Sequence, residues 1–252
     1  MSVEQGILLL LVGVLTGFMN VLSAGGSMIT LPLLMFMGLD SATANGSNRV
    51  GIVMQNTTAV WRFHRSGYCD WTLALTLAIP AVVGALFGAW LATLTSEAVF
   101  QWILILVMLV SSVMMLLPQP KEQVTHPLDK EHLSWPVYLA MLLIGIYGGF
   151  IQVAVGLLFI VILYRVLKVD LIQVNVLKVL IVLVYMVPAL LVFIYAGHVA
   201  WSYGLTLALG SMLGAYGAAR VTLSPSGSVW IQRLSLAVIA LILVKLIWDL
   251  LD

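Results

Sequence analysis

The feature that most limits this chain is a succession of apolar runs: segments near 6–37, 41–62, 71–94, 98–117, 135–167, 170–195, 201–222 and 228–250, separated by short charged or turn-forming stretches. About 20 mostly apolar residues wound as a helix cross the hydrocarbon core of a bilayer, which is about 30 Å thick. With 62% of its 252 residues hydrophobic and 8% charged, against about a quarter charged in soluble domains, the chain has too few polar side chains to solvate a globule. The expectation is an all-α polytopic membrane protein. A net charge of +1 without a basic or acidic block gives no reason to expect a nucleic-acid partner, and the single Cys69 excludes an intramolecular disulfide. Met1-Ser2-Val3-Glu4 lacks the positive start of a secretory signal and no hydrophilic domain follows, so the first run reads as part of the mature fold.

Two runs, 6–37 and 135–167, are longer than one helix needs, and glycine and polar residues interrupt both. The first interruption runs from Thr16-Gly17-Phe18-Met19-Asn20 through Ser23-Ala24-Gly25-Gly26-Ser27, the second from Gly148-Gly149-Phe150-Ile151-Gln152 through Gly156. A polar, proline-punctuated stretch at 118–134 reads as a linker between an N-terminal repeat at 1–117 and a C-terminal repeat at 135–252. The halves align without a gap at a spacing of 130 residues from Gly26 onward. Gly26 meets Gly156, Asp40 meets Asp170, Asn45 meets Asn175, Trp71 meets Trp201, and Gly84-Ala85 meets Gly214-Ala215. Before the break the spacing is 132, pairing Gly17-Phe18 with Gly149-Phe150. Matched Asp, Asn, Gly and Trp in one register argue for a duplication more strongly than matched apolar residues.

Positive charges set orientation, because Lys and Arg in short loops stay cytoplasmic. If every run crossed once, Arg62, Arg65, Lys121 and Lys130 would face Arg165, Lys168, Arg220 and Arg233 across the membrane. If each long run instead enters and returns as a broken pair, or crosses twice, each half makes an odd number of crossings and all eight charges fall on one side. The second topology obeys the rule. It makes the two four-segment repeats inverted relative to one another, as in many secondary transporters, and leaves both termini extracytoplasmic.

Non-helical backbone inside lipid is tolerated only where protein or a water-filled cavity satisfies it, so the breaks are the first site candidates. Free helix ends there suit an anion, and Asn20, Ser23, Ser27 and Gln152 add neutral donors; Gly25, Gly26 and Gly156 serve either the site or close helix packing. An ionisable residue near the bilayer centre is costly and is a functional candidate by default. Arg49 and Lys178 are the two such residues, each about eight residues into its run and so roughly 12 Å deep. Asn45 shares a face with Arg49, and Asn175 with Lys178. The alternative role for either cation is a structural pairing with a carboxylate or a helix C-terminus. Asp40, Asp70, Glu97 and Asp170 lie at run ends rather than at that depth. Gln55 and Asn56 lie further along the same run as Arg49.

Proton-driven carriers usually keep an acidic or histidine relay within the membrane, and this sequence places none there. Export of an anion from a cell with a negative interior runs down the electrical gradient, about 2.3 kcal/mol per charge per 100 mV, and needs no such relay. No Gly-x-x-x-x-Gly-Lys-Ser/Thr is present. His64, His126, His132 and His198 lack ligand spacing for a metal, Cys69 lacks an activating partner beyond His64, and no cofactor is implied. Trp61, Trp71, Trp135, Trp201, Trp230 and Trp248 near run ends fit an interfacial belt.

These residues resemble the TauE/SafE sulfite and organosulfonate exporter family over almost the full length. The resemblance rests on the duplicated halves, on Gly25-Gly26-Ser27 followed by Leu31-Pro32-Leu33, and on Gly148-Gly149-Phe150-Ile151-Gln152 with Val155-Gly156-Leu157. It rests also on Asp170 to Lys178, the stretch ending Asn175-Val176-Leu177-Lys178-Val179-Leu180. It implies a bacterial inner-membrane carrier that moves small sulfur oxyanions or sulfonates, usually outward. The expected partners are a small anionic substrate and the lipid bilayer, with a homodimer as the one assembly considered. The function expected is export by alternating access, with Lys178 and Arg49 neutralising charge and Asn20, Ser23, Asn45, Gln152, Asn175 and the break amides bonding oxygens. An uptake permease or channel for another small anion is the alternative, and an intramembrane enzyme is disfavoured because no nucleophile, base or metal triad converges.

Overall fold

A computed structural model describes residues 1–22, 25–116, 133–159, 161–163 and 171–222. Ser23, most of the 118–134 linker, Arg165, Lys168, Asp170 and the run at 228–250 lie outside the described residues, with Arg233, Trp230 and Trp248. Among the described residues the ordered elements are helical and no strand occurs: α1 (Val3–Leu22), α2 (Ser27–Phe36), α3 (Ser41–Arg65), α4 (Trp71–Leu94), α5 (Glu97–Leu116), α6 (Trp135–Phe150), α7 (Val155–Phe159), α8 (Leu171–Tyr195) and α9 (Trp201–Thr222). Within α1, α4, α5 and α8, four stretches are long and apolar enough to cross a membrane. Both overlong runs break where glycine and polar residues interrupt them, giving α1–α2 and α6–α7.

Local chemistry sets the ends. Asp40 caps α3 by accepting from the Thr43 N–H at 3.0 Å, and Asp70 caps α4 by accepting from the Leu73 N–H at 2.9 Å. The α3 to α4 turn passes through Gly67 at φ +77°, and the α8 to α9 turn through Gly197 at φ +78°, the left-handed conformation that glycine adopts without a Cβ penalty. The two glycines are counterparts at the 130 spacing.

Small residues decide how the helices pack. On α1, a Cβ added to Gly17 would lie 2.3 Å from the Ser211 carbonyl oxygen, and on α9 one added to Gly214 would lie 2.0 Å from the Val14 oxygen. On α6, a Cβ at Gly149 would lie 2.2 Å from the Ala85 oxygen, and on α4 one at Gly88 would lie 2.0 Å from the Ile146 oxygen. Backbones meet directly, as small residues permit in membranes. Residue numbers rise together across each contact, so α1 runs parallel to α9 and α6 parallel to α4. Helix α3 also runs parallel to α9, with Ser47 beside Ala200 and Arg62 beside Tyr216, and antiparallel to α8, with Gly46 beside Phe193 and Arg49 beside Met186. The starts of α4 and α8 adjoin, Asp70 lying near Ile172 and Gln173. Helices α1, α3 and α9 therefore point one way, and α4, α6 and α8 the other.

Helix α2 turns back along α3. Ser27 donates to Asn20, Thr30 bonds Asn48, and the chain re-enters α3 at Ser41, where Glu97 accepts from the Ser41 N–H at 2.9 Å and from its Oγ at 2.6 Å. Arg62, Arg65 and Arg220 gather at the other end, with the Arg62 and Arg220 guanidinium carbons 4.8 Å and 5.4 Å from the Tyr216 ring centre. Exposed Trp61, Trp71, Trp135 and Trp201 sit near helix ends.

Candidate functional site

Helix α3 is long enough to span a membrane, yet it carries Ser41, Asn45, Ser47, Asn48, Arg49, Gln55 and Asn56, all buried. Such a helix survives in lipid only when others surround it, and α2, α8 and α9 do so. Its buried polar face looks onto both breaks.

A cavity of about 30 Å³ lies where those breaks meet, lined by Asn20, Gly25 and Ser27 from the first, Gln152, Ala154, Val155 and Gly156 from the second, Ile52, Gln55 and Asn56 from α3, and Lys178, Val179 and Val182 from α8. That volume holds about two waters. Lys178, 3% exposed, places its ammonium 3.2 Å from the Asn20 carbonyl oxygen, 3.3 Å from that of Val21 and 3.0 Å from Asn175 Oδ1. It thereby holds the C-terminal carbonyls of α1, where the helix dipole favours a cation. Asn20 Oδ1 accepts from the Ser27 N–H at 3.3 Å, while its Nδ2 donates to Gln55 Oε1 at 3.3 Å.

Arg49 performs the corresponding task for the other half. It is completely buried, and its guanidinium donates to the carbonyls of Gly149, Gly148 (3.3 Å) and Phe150 (3.4 Å), the last turn of α6. Asn45 Oδ1 and Met186 Sδ also accept from it, and the Phe193 ring lies 4.5 Å away. Asn45 Nδ2 donates to the Phe150 oxygen at 2.8 Å. Each half thus supplies a cation that caps the broken helix of the other half.

Of the residues anticipated from sequence, Asn20, Gly25, Gln152, Gly156 and Lys178 line the cavity, and Asn175 touches it through Lys178. Arg49 and Asn45 are directed at the end of α6 instead. Gly26 serves packing, since a Cβ there would lie 2.3 Å from the Thr16 carbonyl. Ser27, one of the donors expected at the first break, also lines it, and Gln55 and Asn56 join the lining; the polarity of these two in an apolar run is the available signal. Tyr185, fully buried, donates to Gln152 Oε1 at 2.9 Å, and a tyrosine in an apolar helix gives no such signal. Outside the membrane-spanning segments, burial pushes the Cys69 thiol up, away from reactive thiolate. His64 Nδ1 pairs with the Trp71 indole N–H at 3.3 Å. Among the described residues no cluster of three metal-ligating side chains occurs.

The family model described as Sulfite exporter TauE/SafE matches residues 9–246. Relatives include the probable membrane transporter protein YfcA of Escherichia coli strain K12, 26% identical over 96% of this chain and 89% of the relative. The probable membrane transporter protein ORF9 of Sinorhizobium sp is 24% identical over 90% and 87%, and a probable membrane transporter protein of Haemophilus influenzae is 21% identical over 96% and 94%. No solved structure matches.

Proposed function

The chain belongs to the TauE/SafE family of membrane transporters, and from that premise we propose that it exports a small sulfur oxyanion or sulfonate through the cavity at the two breaks. The observation that carries this reading is the lining itself: an ammonium, Lys178, and the carboxamides of Asn20, Gln55, Asn56 and Gln152 converge from four elements onto one buried void. Sulfonate oxygens need a nearby positive charge and several N–H donors; Lys178, whose ammonium faces three protein oxygens, supplies the charge, and the carboxamides supply the donors.

The repeats are inverted in this reading. Helices α1 and α3 oppose α6 and α8, their counterparts at the 132 and 130 spacings, and α2 returns toward the end from which α1 starts. The charges fit the same orientation: Arg62, Arg65 and Arg220 share one end, which is cytoplasmic by the positive-inside rule, so the N-terminus is extracytoplasmic. Alternating access moves the repeats against each other around the fixed site, in the inner membrane of a bacterium. Arg49 belongs to the framework that holds α6, and Lys178 to the substrate.

The test is counterflow of sulfite and of sulfoacetate in proteoliposomes at imposed membrane potentials. Saturable outward flux that rises with interior negativity and is lost in Lys178→Ala is expected. Flux that does not saturate would replace the carrier by a channel, and flux indifferent to Lys178→Ala would remove the assigned site.

A further inference from the structure

We propose that the site is polarised toward hydrogen-bond donors and that Tyr185 is the positioning residue that sets this polarity at Gln152. The proposal deepens the reading above and rests on it for the choice of a sulfonate as ligand. The Ser27 backbone N–H can only donate, so the Asn20 atom facing it is the oxygen. The Asn20 amine then faces Gln55, so the Gln55 atom there must also be the oxygen. That leaves the Gln55 NH₂, on a side chain 3% exposed, for the cavity it lines.

Gln152 is fixed from the other side. The Tyr185 hydroxyl is completely buried and the carboxamide is its one hydrogen-bond partner among the described residues. A buried hydroxyl whose proton had no acceptor would cost about 1–3 kcal/mol, so Tyr185 donates and Gln152 presents its NH₂ to the void. The carbonyls of Asn20 and Val21 are occupied by Lys178. Every acceptor whose orientation is fixed here is thus engaged by the protein, and the carboxamide donors of Gln55 and Gln152 remain for a ligand. At these two carboxamides the lining accepts a bare oxyanion and penalises a head group that must itself donate.

Methanesulfonate and methanesulfonamide, nearly the same shape, separate these cases, because one sulfonate oxygen is replaced by a donating NH₂. Calorimetry on the purified full chain is expected to show wild type favouring the sulfonate by about 100-fold. Tyr185→Phe, which frees Gln152 to rotate, should reduce that ratio about tenfold, and Gln55→Glu, which exchanges one NH₂ for an oxygen, should reduce sulfonate affinity more than tenfold. General loosening would weaken both ligands alike and leave the ratio unchanged. An unchanged ratio in folded Tyr185→Phe overturns the proposal while leaving the sulfonate reading intact. Nitrate bound without sulfonate, and weakened by Tyr185→Phe, keeps the polarity and removes the sulfur assignment; no anion bound overturns both.

A separate observation carries a second inference. Gly13 and Gly17 of α1 correspond to Gly145 and Gly149 of α6 at the 132 spacing, and α9 corresponds to α4 at 130. Corresponding contacts should therefore coincide, yet they differ by four residues. Leu10 lies under Gly210 and Val14 under Gly214, whereas their counterparts Leu142 and Ile146 lie under Gly84 and Gly88. The ends agree: α1 continues to Leu22, whose counterpart at 132 is Ala154, but α6 stops at Phe150. The lengths and the packing both differ by one turn.

We infer that the two halves are caught in the two opposite states of one motion, a one-turn ratchet in which α1 advances along α9 as α6 withdraws along α4. Small residues line both tracks in those directions, at Ala215 and Ala218 of α9 and at Ala81 and Ala78 of α4. Interfaces of this type do move in whole turns of about 5.4 Å. Spin labels on two exposed pairs, Leu11 with Leu213 and Leu143 with Phe87, report it by electron–electron distance measurements in liposomes. The distances are expected to change by several ångströms and in opposite senses when a sulfite gradient is reversed. Both distances unchanged with sulfite inside, outside and absent would overturn the ratchet.

Discussion

The two broken helices differ although their sequences correspond residue by residue. The end of α1 is held by Lys178 and opens onto a polar cavity; the end of α6 is held by Arg49 and is closed in by Phe193, Met186 and Asn45. Both cations answer the same local need, carbonyls left without partners at a helix C-terminus inside a membrane. A point charge on a flexible stem leaves room beside it, whereas a planar fork of five donors can satisfy three carbonyls at once. The comparison teaches that a buried cation in such a fold is first a capping group, and that only the one bordered by space can also meet a substrate.

The largest expected effect comes from Arg49→Ala. It bares the carbonyls of the buried Gly148 and Gly149, at about 1–3 kcal/mol each, so thermal unfolding in detergent should show a loss of roughly 2–6 kcal/mol. A small loss would mean that this end is not dry. Gly17→Ala and Gly149→Ala probe the two tracks and should each cost about 1–3 kcal/mol through overpacking, since each Cβ would meet a backbone oxygen of the facing helix. A cost at one glycine alone would break the correspondence between halves.

A smaller change is expected at the second break, where Ala154 adopts φ +55°. Left-handed backbone costs an L-residue about 1–2 kcal/mol and glycine returns part of that in entropy, so Ala154→Gly should stabilise by less than about 1 kcal/mol in the same melt. The smallest effect concerns Asp40 outside the membrane. Burial raises its pKa, but the Thr43 bonds and the His198 charge outweigh this, and the carboxyl ends below its ordinary 3.8. The stability it contributes is present above that ordinary value and is lost as pH falls through the folded one. Asp40→Asn should therefore flatten the acid limb of a melting-temperature profile below about pH 4.

Much of this was legible in advance. The breaks were visible because glycine and polar residues interrupt runs too long for one helix, and Lys178, Asn20 and Gln152 stood out because polarity in an apolar run is expensive. Other features depend on which helix faces which. That Arg49 turns to α6 follows from the antiparallel pairing of α3 with α8, which the spacing of Asn45 and Arg49 does not encode. Helix α1 continues for a turn beyond Gly17-Phe18 whereas α6 stops at the identical Gly149-Phe150, so the shared motif does not distinguish the halves. Tyr185 matters through one hydrogen bond, and its residue type is ordinary in a membrane helix.

The central claim is that the cation beside the cavity serves the substrate and the sealed one serves the fold. It is tested most directly by Lys178→Met, assayed in one preparation for sulfite flux in proteoliposomes and for melting temperature. Water in the cavity can reach the carbonyls that Lys178 leaves, so flux is expected to fall about 100-fold with a stability loss of only about 1–2 kcal/mol. Near-normal flux from the same folded protein would contradict it.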